Sequence, residues 1–89
     1  IDLGNPAIYG EATGTCVCLV TPDAERTMRT CLAVSSHLAD RHVDEDRVRA
    51  ADWLFVEGYV LANPATGQAA VRRAVELARR HGTKVALTC

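Results

Sequence analysis

The chain has 89 residues, of which 48% are hydrophobic and 24% are charged, and its formal net charge is −1. This much apolar material argues against a disordered chain, and the balanced charge offers no surface for nucleic acid or an acidic membrane. No run approaches the roughly 20 apolar residues that span a bilayer, so we expect a globular protein that binds neither nucleic acid nor membrane.

The two ends of the sequence suggest a piece of a longer protein. The chain lacks a starting Met and stops on Cys89 directly after an apolar run. Its start has neither the basic nor the apolar region of a signal peptide. We therefore expect an internal fragment of a cytoplasmic protein, with thiols rather than disulfides.

Residues 1–12 are predicted to form an irregular segment, which we call the lead-in, and a β-hairpin follows it. Residues 13–21 and 26–34 are its predicted strands, and Pro and Asp in the sequence Thr-Pro-Asp-Ala favour a turn between them. Both faces of the first strand are apolar, which predicts that other elements cover both. On the second strand Thr27, Arg29 and Cys31 face one way, and Met28, Thr30 and Leu32 face the other.

A loop follows the hairpin, and Asp44 then caps a predicted short helix over residues 45–51, with Val48 and Ala51 facing inward. Residues 53–61 form a nearly continuous apolar run, which predicts a buried central strand.

The last helix is predicted over residues 67–81, with Asn63 or Thr66 as its cap and Gly82 just after its end. Its apolar stripe consists of residues 70, 71, 74, 75 and 78. Residues 84–88 form a last strand. The final three elements predict a right-handed parallel βαβ unit, beside a separate hairpin, in one partial α/β domain.

The cysteines offer little for a zinc site. Cys16 and Cys18 share one face of a predicted strand, but zinc needs further ligands, and only His37 and His42 are near in sequence. We therefore expect no metal, and cysteines that pack as small apolar side chains.

Two places could carry chemistry. Glu57, Gly58 and Tyr59 end a predicted central strand, where ligands bind in open α/β sheets. The alternative is that Glu57 has an ordinary partner and Tyr59 is core, and the residues alone leave both open. Arg26 suits bidentate contact with a phosphate or carboxylate, but the residues alone favour a surface ion pair with Glu25 or Asp23.

Several segments, in this order, resemble the adenosine-kinase-like branch of the PfkB (ribokinase-like) carbohydrate kinases. They are Thr13-Gly14-Thr15-Cys16, the Val-Thr-Pro-Asp-Ala-Glu-Arg-Thr-Met of residues 20–28, Leu32-Ala33-Val34-Ser35, Phe55-Val56-Glu57-Gly58-Tyr59, and Lys84-Val85-Ala86-Leu87-Thr88. Together with the intervening helices they cover roughly residues 13–89.

The resemblance implies part of a ribokinase-like α/β/α sandwich, with lid strands at 13–34 and a βαβ portion of the core at 53–89. It implies transfer of the γ-phosphoryl of MgATP to a primary hydroxyl of a sugar or nucleoside. Arg26 would approach the transferred phosphate, and Met28, Thr30 and Leu32 would shield the substrate from water. Tyr59 would lie against the sugar or base, and Gly58 would permit its close approach.

The family's Gly-Ala-Gly-Asp motif is absent from the 89 residues. We therefore expect the catalytic base and the MgATP site outside this chain, and no activity from the chain alone. Two other interpretations stay open: a small stand-alone α/β binding module without catalysis, and a dimerisation piece, since lid strands of this family can pair into a homodimer.

Overall fold

A computed structural model describes residues 2–88 and shows an α/β chain with two separate two-stranded sheets. The strands are β1 (Thr15–Val20), β2 (Arg26–Cys31), β3 (Trp53–Glu57) and β4 (Lys84–Thr88), and the helices are α1 (Glu45–Ala50) and α2 (Gly67–His81). Short 3₁₀ turns cover Ala33–His37, Asp40–His42 and Gly58–Ala62. Within residues 2–88 no helix is both long and apolar enough to cross a membrane.

The second half of the chain is the expected βαβ unit. β3 and β4 pair in parallel, in a register that runs from Trp53 opposite Lys84 to Glu57 opposite Thr88, and α2 connects them. The core lies where α2 packs on α1 and β3. Leu77 is fully buried there beside Val48 and Ala78. The predicted apolar stripe of α2 faces this core. Leu77, which the predicted stripe does not include, is fully buried on the same side of the helix.

The helix ends follow the sequence signals. The Asp44 carboxylate accepts hydrogen bonds from the backbone N–H groups of Asp46 (2.9 Å) and Arg47 (3.2 Å), which confirms the cap of α1. Gly82 has φ = 75°, the left-handed conformation that favours glycine after a helix. Ala51, expected to face inward, is exposed, because α1 ends at Ala50 and the chain becomes extended before β3.

One carboxylate links the start of α1 to the end of α2. Glu45 Oε1 lies 2.9 Å from His81 Nε2 and 3.5 Å from an Arg80 nitrogen, and Glu45 Oε2 lies 3.3 Å from Arg73. The hydrogen bond from His81 lowers the pKa of Glu45 most, and the nearby Arg80 and Arg73 lower it further. The folded state therefore favours the ionised carboxylate.

The hairpin is exposed, contrary to the sequence expectation that both faces of its first strand are covered. Every residue of β1 and β2 is exposed, and this includes Cys16, Cys18 and Cys31, which were expected to pack as apolar side chains. The projecting hairpin makes the molecule elongated. The radius of gyration of the chain is 15.4 Å, whereas a compact chain of this length has a radius of gyration of about 12 Å. Cys89 lies outside the described residues.

The predicted strand over residues 53–61 is shorter and less buried than expected. It ends at Glu57, where the chain enters the turn Gly58–Ala62. Val56 is buried, whereas Trp53 and Phe55 are 59% and 64% exposed. The reason is that alternate side chains point to opposite faces, and the described helices pack on only one of them. On the open face, the Lys84 ammonium lies 5.3 Å from the centre of the Trp53 ring.

The segment between the hairpin and α1 also differs from the sequence expectation. Residues 35–40 were expected to form a loop, and the second strand to continue to residue 34. Instead β2 ends at Cys31, and 3₁₀ turns occupy Ala33–His37 and Asp40–His42.

We predict that the open face of the β3–β4 sheet makes the isolated chain self-associate, since contiguous exposed apolar surface promotes association. Replacing Trp53 and Phe55 together by Thr should lower the weight-average mass in sedimentation equilibrium over a concentration series. The control is a Val17→Thr, Leu19→Thr chain, altered on the exposed hairpin. Association that persists in the Trp53/Phe55 variant but disappears in the hairpin variant would contradict this prediction.

We also predict that Glu45 makes the stability of the chain sensitive to acid. Because its pKa is lower in the folded state, its contribution is complete above about pH 4.5 and is lost as the pH falls through the lowered value. Glu45→Gln should therefore flatten the fall of the urea midpoint below that pH. Glu76→Gln, which removes a carboxylate on the surface of α2 that also pairs with Arg80, should leave the fall unchanged. An equally steep fall of the urea midpoint with decreasing pH in Glu45→Gln and in the unmodified chain would refute the prediction.

Candidate functional site

The register of the hairpin places Arg26, Met28 and Thr30 on one face of β2. They pair with Val20, Cys18 and Cys16 of β1, which point to the same side. We call this the Arg26 face; Thr27, Arg29 and Cys31 lie on the opposite one, as the sequence alternation predicts. A cation, a thioether and a hydroxyl are thus brought together on an exposed surface.

Arg26 forms no ion pair with a carboxylate of residues 2–88, so the alternative of a surface salt bridge to Glu25 or Asp23 is wrong. The Asp23 carboxylate is used locally instead: it accepts a hydrogen bond from the Thr21 hydroxyl and one from the Glu25 N–H (3.4 Å). These bonds, the Thr21 one most, lower the pKa of Asp23. The Arg26 guanidinium is left available to an external anion.

Leu32 does not continue the alternation of Met28 and Thr30. β2 ends at Cys31, and Leu32 (φ −72°, ψ −30°) leads into the turn Ala33–His37. It remains 37% exposed at the base of the hairpin, so its expected place on the Arg26 face is wrong.

The base of the hairpin depends on Gly14. A Cβ added there would lie 2.9 Å from both the Leu32 carbonyl oxygen and the Ser35 hydroxyl. The Val34 N–H also donates to the Ala12 carbonyl at 3.2 Å. Only glycine allows the two segments to cross this closely. In the sequence Gly14 is a weak signal, because its neighbour Leu32 is remote along the chain.

Glu57, Gly58 and Tyr59 lie at the carboxyl edge of the parallel sheet, where the strand passes into a turn. Tyr59 is 61% exposed, and Glu57 is exposed without an ion-pair partner in residues 2–88. Within residues 2–88, therefore, Tyr59 is not a core residue and Glu57 is not part of an ion pair. An exposed ring and carboxylate at this edge can contact a polar, partly flat ligand.

The turn that carries Tyr59 rests on the first residues of α2. A Cβ at Gly67 would collide with the Val60 carbonyl oxygen, so this glycine allows the closest approach of turn and helix. The Gln68 side-chain amide also donates to the Leu61 carbonyl at 3.2 Å. The position of Tyr59 is therefore set by α2.

A polar junction joins the segment after the hairpin to the same end of α2. The Ser36 carbonyl oxygen accepts hydrogen bonds from Asn63 Nδ2 (2.9 Å) and Thr66 Oγ1 (3.1 Å). The sequence predicts Asn63 and Thr66 only as helix caps. Thr66 occupies the cap position without a side-chain cap bond, whereas Asn63 Oδ1 accepts the N–H groups of Ala65 (3.1 Å) and Thr66 (3.4 Å) just before α2. Both side chains also bridge to the remote Ser36. Nothing local to Ser36 signals this contact.

An open cavity of about 610 Å³, which the sequence did not predict, lies between the lead-in and the segment before α1. It is lined by residues 2–8, Thr13, Val34, Ser35, His37, Leu38 and His42. His42 Nδ1 accepts the Ala39 N–H at 3.0 Å, so the neutral ring carries its proton on Nε2. None of the expected site residues lines this cavity.

No family model matches the chain, and no curated protein matches it. The solved structures that resemble it include two kinases. Adenosine kinase from Sinorhizobium meliloti is 32% identical with a TM-score of 0.76, over 84% of this chain and 23% of the enzyme. A probable sugar kinase from Rhizobium etli CFN 42 is 30% identical with a TM-score of 0.74, over 83% of this chain and 22% of that protein.

The chain thus spans less than a quarter of the length of these two kinases. The agreement extends over most of the 89 residues and includes sequence as well as fold. The chain therefore corresponds to a segment of the ribokinase-like (PfkB) kinase fold in its adenosine-kinase-like form.

Proposed function

We propose that the chain forms the substrate-facing lid and part of the core of an ATP-dependent sugar or nucleoside kinase. The observation that carries the proposal is the match to adenosine kinase at 32% identity and a TM-score of 0.76. In the proposed reaction the γ-phosphoryl of ATP passes to a primary hydroxyl of the substrate. The remaining parts of the catalytic site belong to residues outside these 89.

We place the proposed MgATP site outside the 89 residues. The sequence contains no glycine-rich phosphate loop and no Gly-Ala-Gly-Asp motif. The proposed role of the described residues is therefore to bind and enclose the substrate.

Arg26 is the residue proposed to meet the transferred phosphoryl group. Its guanidinium is exposed and has no carboxylate partner in the described part of the chain. A planar guanidinium can bind two phosphoryl oxygens at once and offset negative charge that develops during transfer. Arg29, with the same charge, lies on the opposite face of β2 and cannot replace it without turning the hairpin over.

The apolar members of the Arg26 face would exclude water when the hairpin closes over the substrate. Met28 is 55% exposed beside Cys18 and Val20, so substrate binding can bury this surface. Tyr59, at the edge of the sheet, would contact the base or sugar from the opposite side. The junction at Ser36 fixes the base of the hairpin relative to the turn of Tyr59.

Self-pairing of the hairpin is a second candidate function. β1 and β2 form a sheet of two strands, so within residues 2–88 each has an unpaired edge that could add a strand from another copy. Loss of self-association in the Val17→Thr, Leu19→Thr chain would favour this homodimer.

A chimera tests the kinase proposal, because a complete kinase supplies the parts of the catalytic site that this chain lacks. The matched segment of the Sinorhizobium meliloti adenosine kinase is replaced by this chain, and phosphorylation of adenosine is measured. We predict activity, and a loss of about 10²-fold in kcat for Arg26→Ala, the size typical of one lost electrostatic contact to the transition state. Tyr59→Ala should raise KM, and Tyr59→Phe should restore much of the affinity.

Arg29→Ala is the matched control, because it removes the same charge from the other face of β2. It should keep near-normal kcat. A chimera that unfolds cooperatively and binds ATP but does not phosphorylate adenosine or a panel of sugars and nucleosides would contradict the proposed function. Equal losses for Arg26→Ala and Arg29→Ala would contradict the role of Arg26.

A further inference from the structure

Three sulfur-containing side chains share the Arg26 face. Cys16 and Cys18 are two residues apart on β1 and therefore point to the same side. Met28 is the direct cross-strand partner of Cys18. All three are exposed, and both thiols are free. Cys31, the third described thiol, lies on the opposite face.

The spacing of Cys16 and Cys18 suits a bridging ion better than a disulfide. Residues two apart on a strand are separated by roughly 6.6 Å, whereas a disulfide requires Cβ atoms about 3.8 Å apart. A metal held between two thiolates, with metal–sulfur bonds of about 2.3 Å, needs the sulfurs roughly 4.6 Å apart when the ion is linear and about 4.0 Å apart when a third ligand bends the angle to about 120°. Two side chains that lean toward each other along the strand can reach that separation.

Met28 can supply a third ligand to the same ion. Directly opposed residues of an antiparallel pair have Cβ atoms about 4.5–5.5 Å apart. A long, flexible thioether at Met28 can therefore reach an ion bound beside Cys18. Thiolate and thioether ligands together are the soft donor set that selects monovalent copper.

Two neighbouring groups support metal-bound thiolates here. The Thr30 hydroxyl lies 3.3 Å from Cys16 Sγ and donates a hydrogen bond that can orient the sulfur. Arg26 is on the same face, two residues before Met28. A monovalent ion held by two thiolates has a net charge of −1, which the unpaired guanidinium partly offsets.

We propose that Cys16, Cys18 and Met28 form a binding site for a soft monovalent metal ion, Cu⁺ in particular. Binding deprotonates both thiols and releases two protons to solvent, and the copper remains Cu⁺. Structural zinc sites use four ligands, and residues 2–88 contain no cluster of three His, Cys, Asp or Glu side chains placed to hold an ion. This inference does not rest on the proposed kinase function.

The test is an anaerobic titration with Cu⁺ against a colorimetric Cu⁺ chelator, in chains that all carry Cys89→Ser. We expect one equivalent to bind to this parent chain. Cys16→Ser and Cys18→Ser should each abolish the tight site, and Met28→Leu should weaken it without abolishing it. Cys31→Ser, which removes a thiol from the opposite face of the same hairpin, should leave the affinity unchanged.

An equal loss in the Cys31→Ser chain would show unspecific binding to thiols and overturn the proposal, as would one retained equivalent in Cys16→Ser. A second measurement uses Ag⁺, which does not change oxidation state under these conditions. Amide chemical-shift changes concentrated in β1 and β2 would support the site. Changes concentrated around His37 and His42 would contradict it.

Discussion

Packing of α2 on a single face of the β3–β4 pair organises the second half of the chain. Leu77 and Ala78 are fully buried in this contact, whereas Trp53 and Phe55 on the other face remain more than half exposed. A parallel sheet is normally covered on both faces. The open face is therefore what a segment of a larger layered fold should show, and the two kinase structures are each more than four times as long as the stretch they share with this chain.

The same helix also positions the candidate site. Its first residues support the turn of Tyr59 through Gly67 and Gln68, and Asn63 and Thr66 just before it hold the Ser36 carbonyl at the base of the hairpin. The two halves of the proposed site, one on a projecting hairpin and one on the sheet edge, are thus attached to one end of α2. A projecting lid on a fixed base can close over a substrate without rearrangement of the core.

Local patterns predicted the elements well. The Asp44 cap, the bounds of α2, the glycine after it and β4 all depend on residues close in sequence, and the structure confirms them.

Burial was harder to predict: the apolar strands 13–21 and 53–61 suggest cover on both sides, but the pattern cannot show which layers the chain itself supplies. The end of β3 at Glu57 was missed because Tyr-Val-Leu continues the apolar run into a 3₁₀ turn. The Ser36 junction and the crossing at Gly14 join residues remote in sequence, and periodicity contains no information about such contacts.

We propose that the Arg26 face and the Tyr59 turn close on one substrate. Amide hydrogen exchange in the adenosine kinase chimera, with and without adenosine, tests it most directly. If both close on the substrate, adenosine should slow amide exchange in Arg26–Cys31 and in Gly58–Ala62 and leave exchange on the outer surface of α2 unchanged. Protection of the turn with no change in the hairpin would show that the hairpin is not a lid over this substrate.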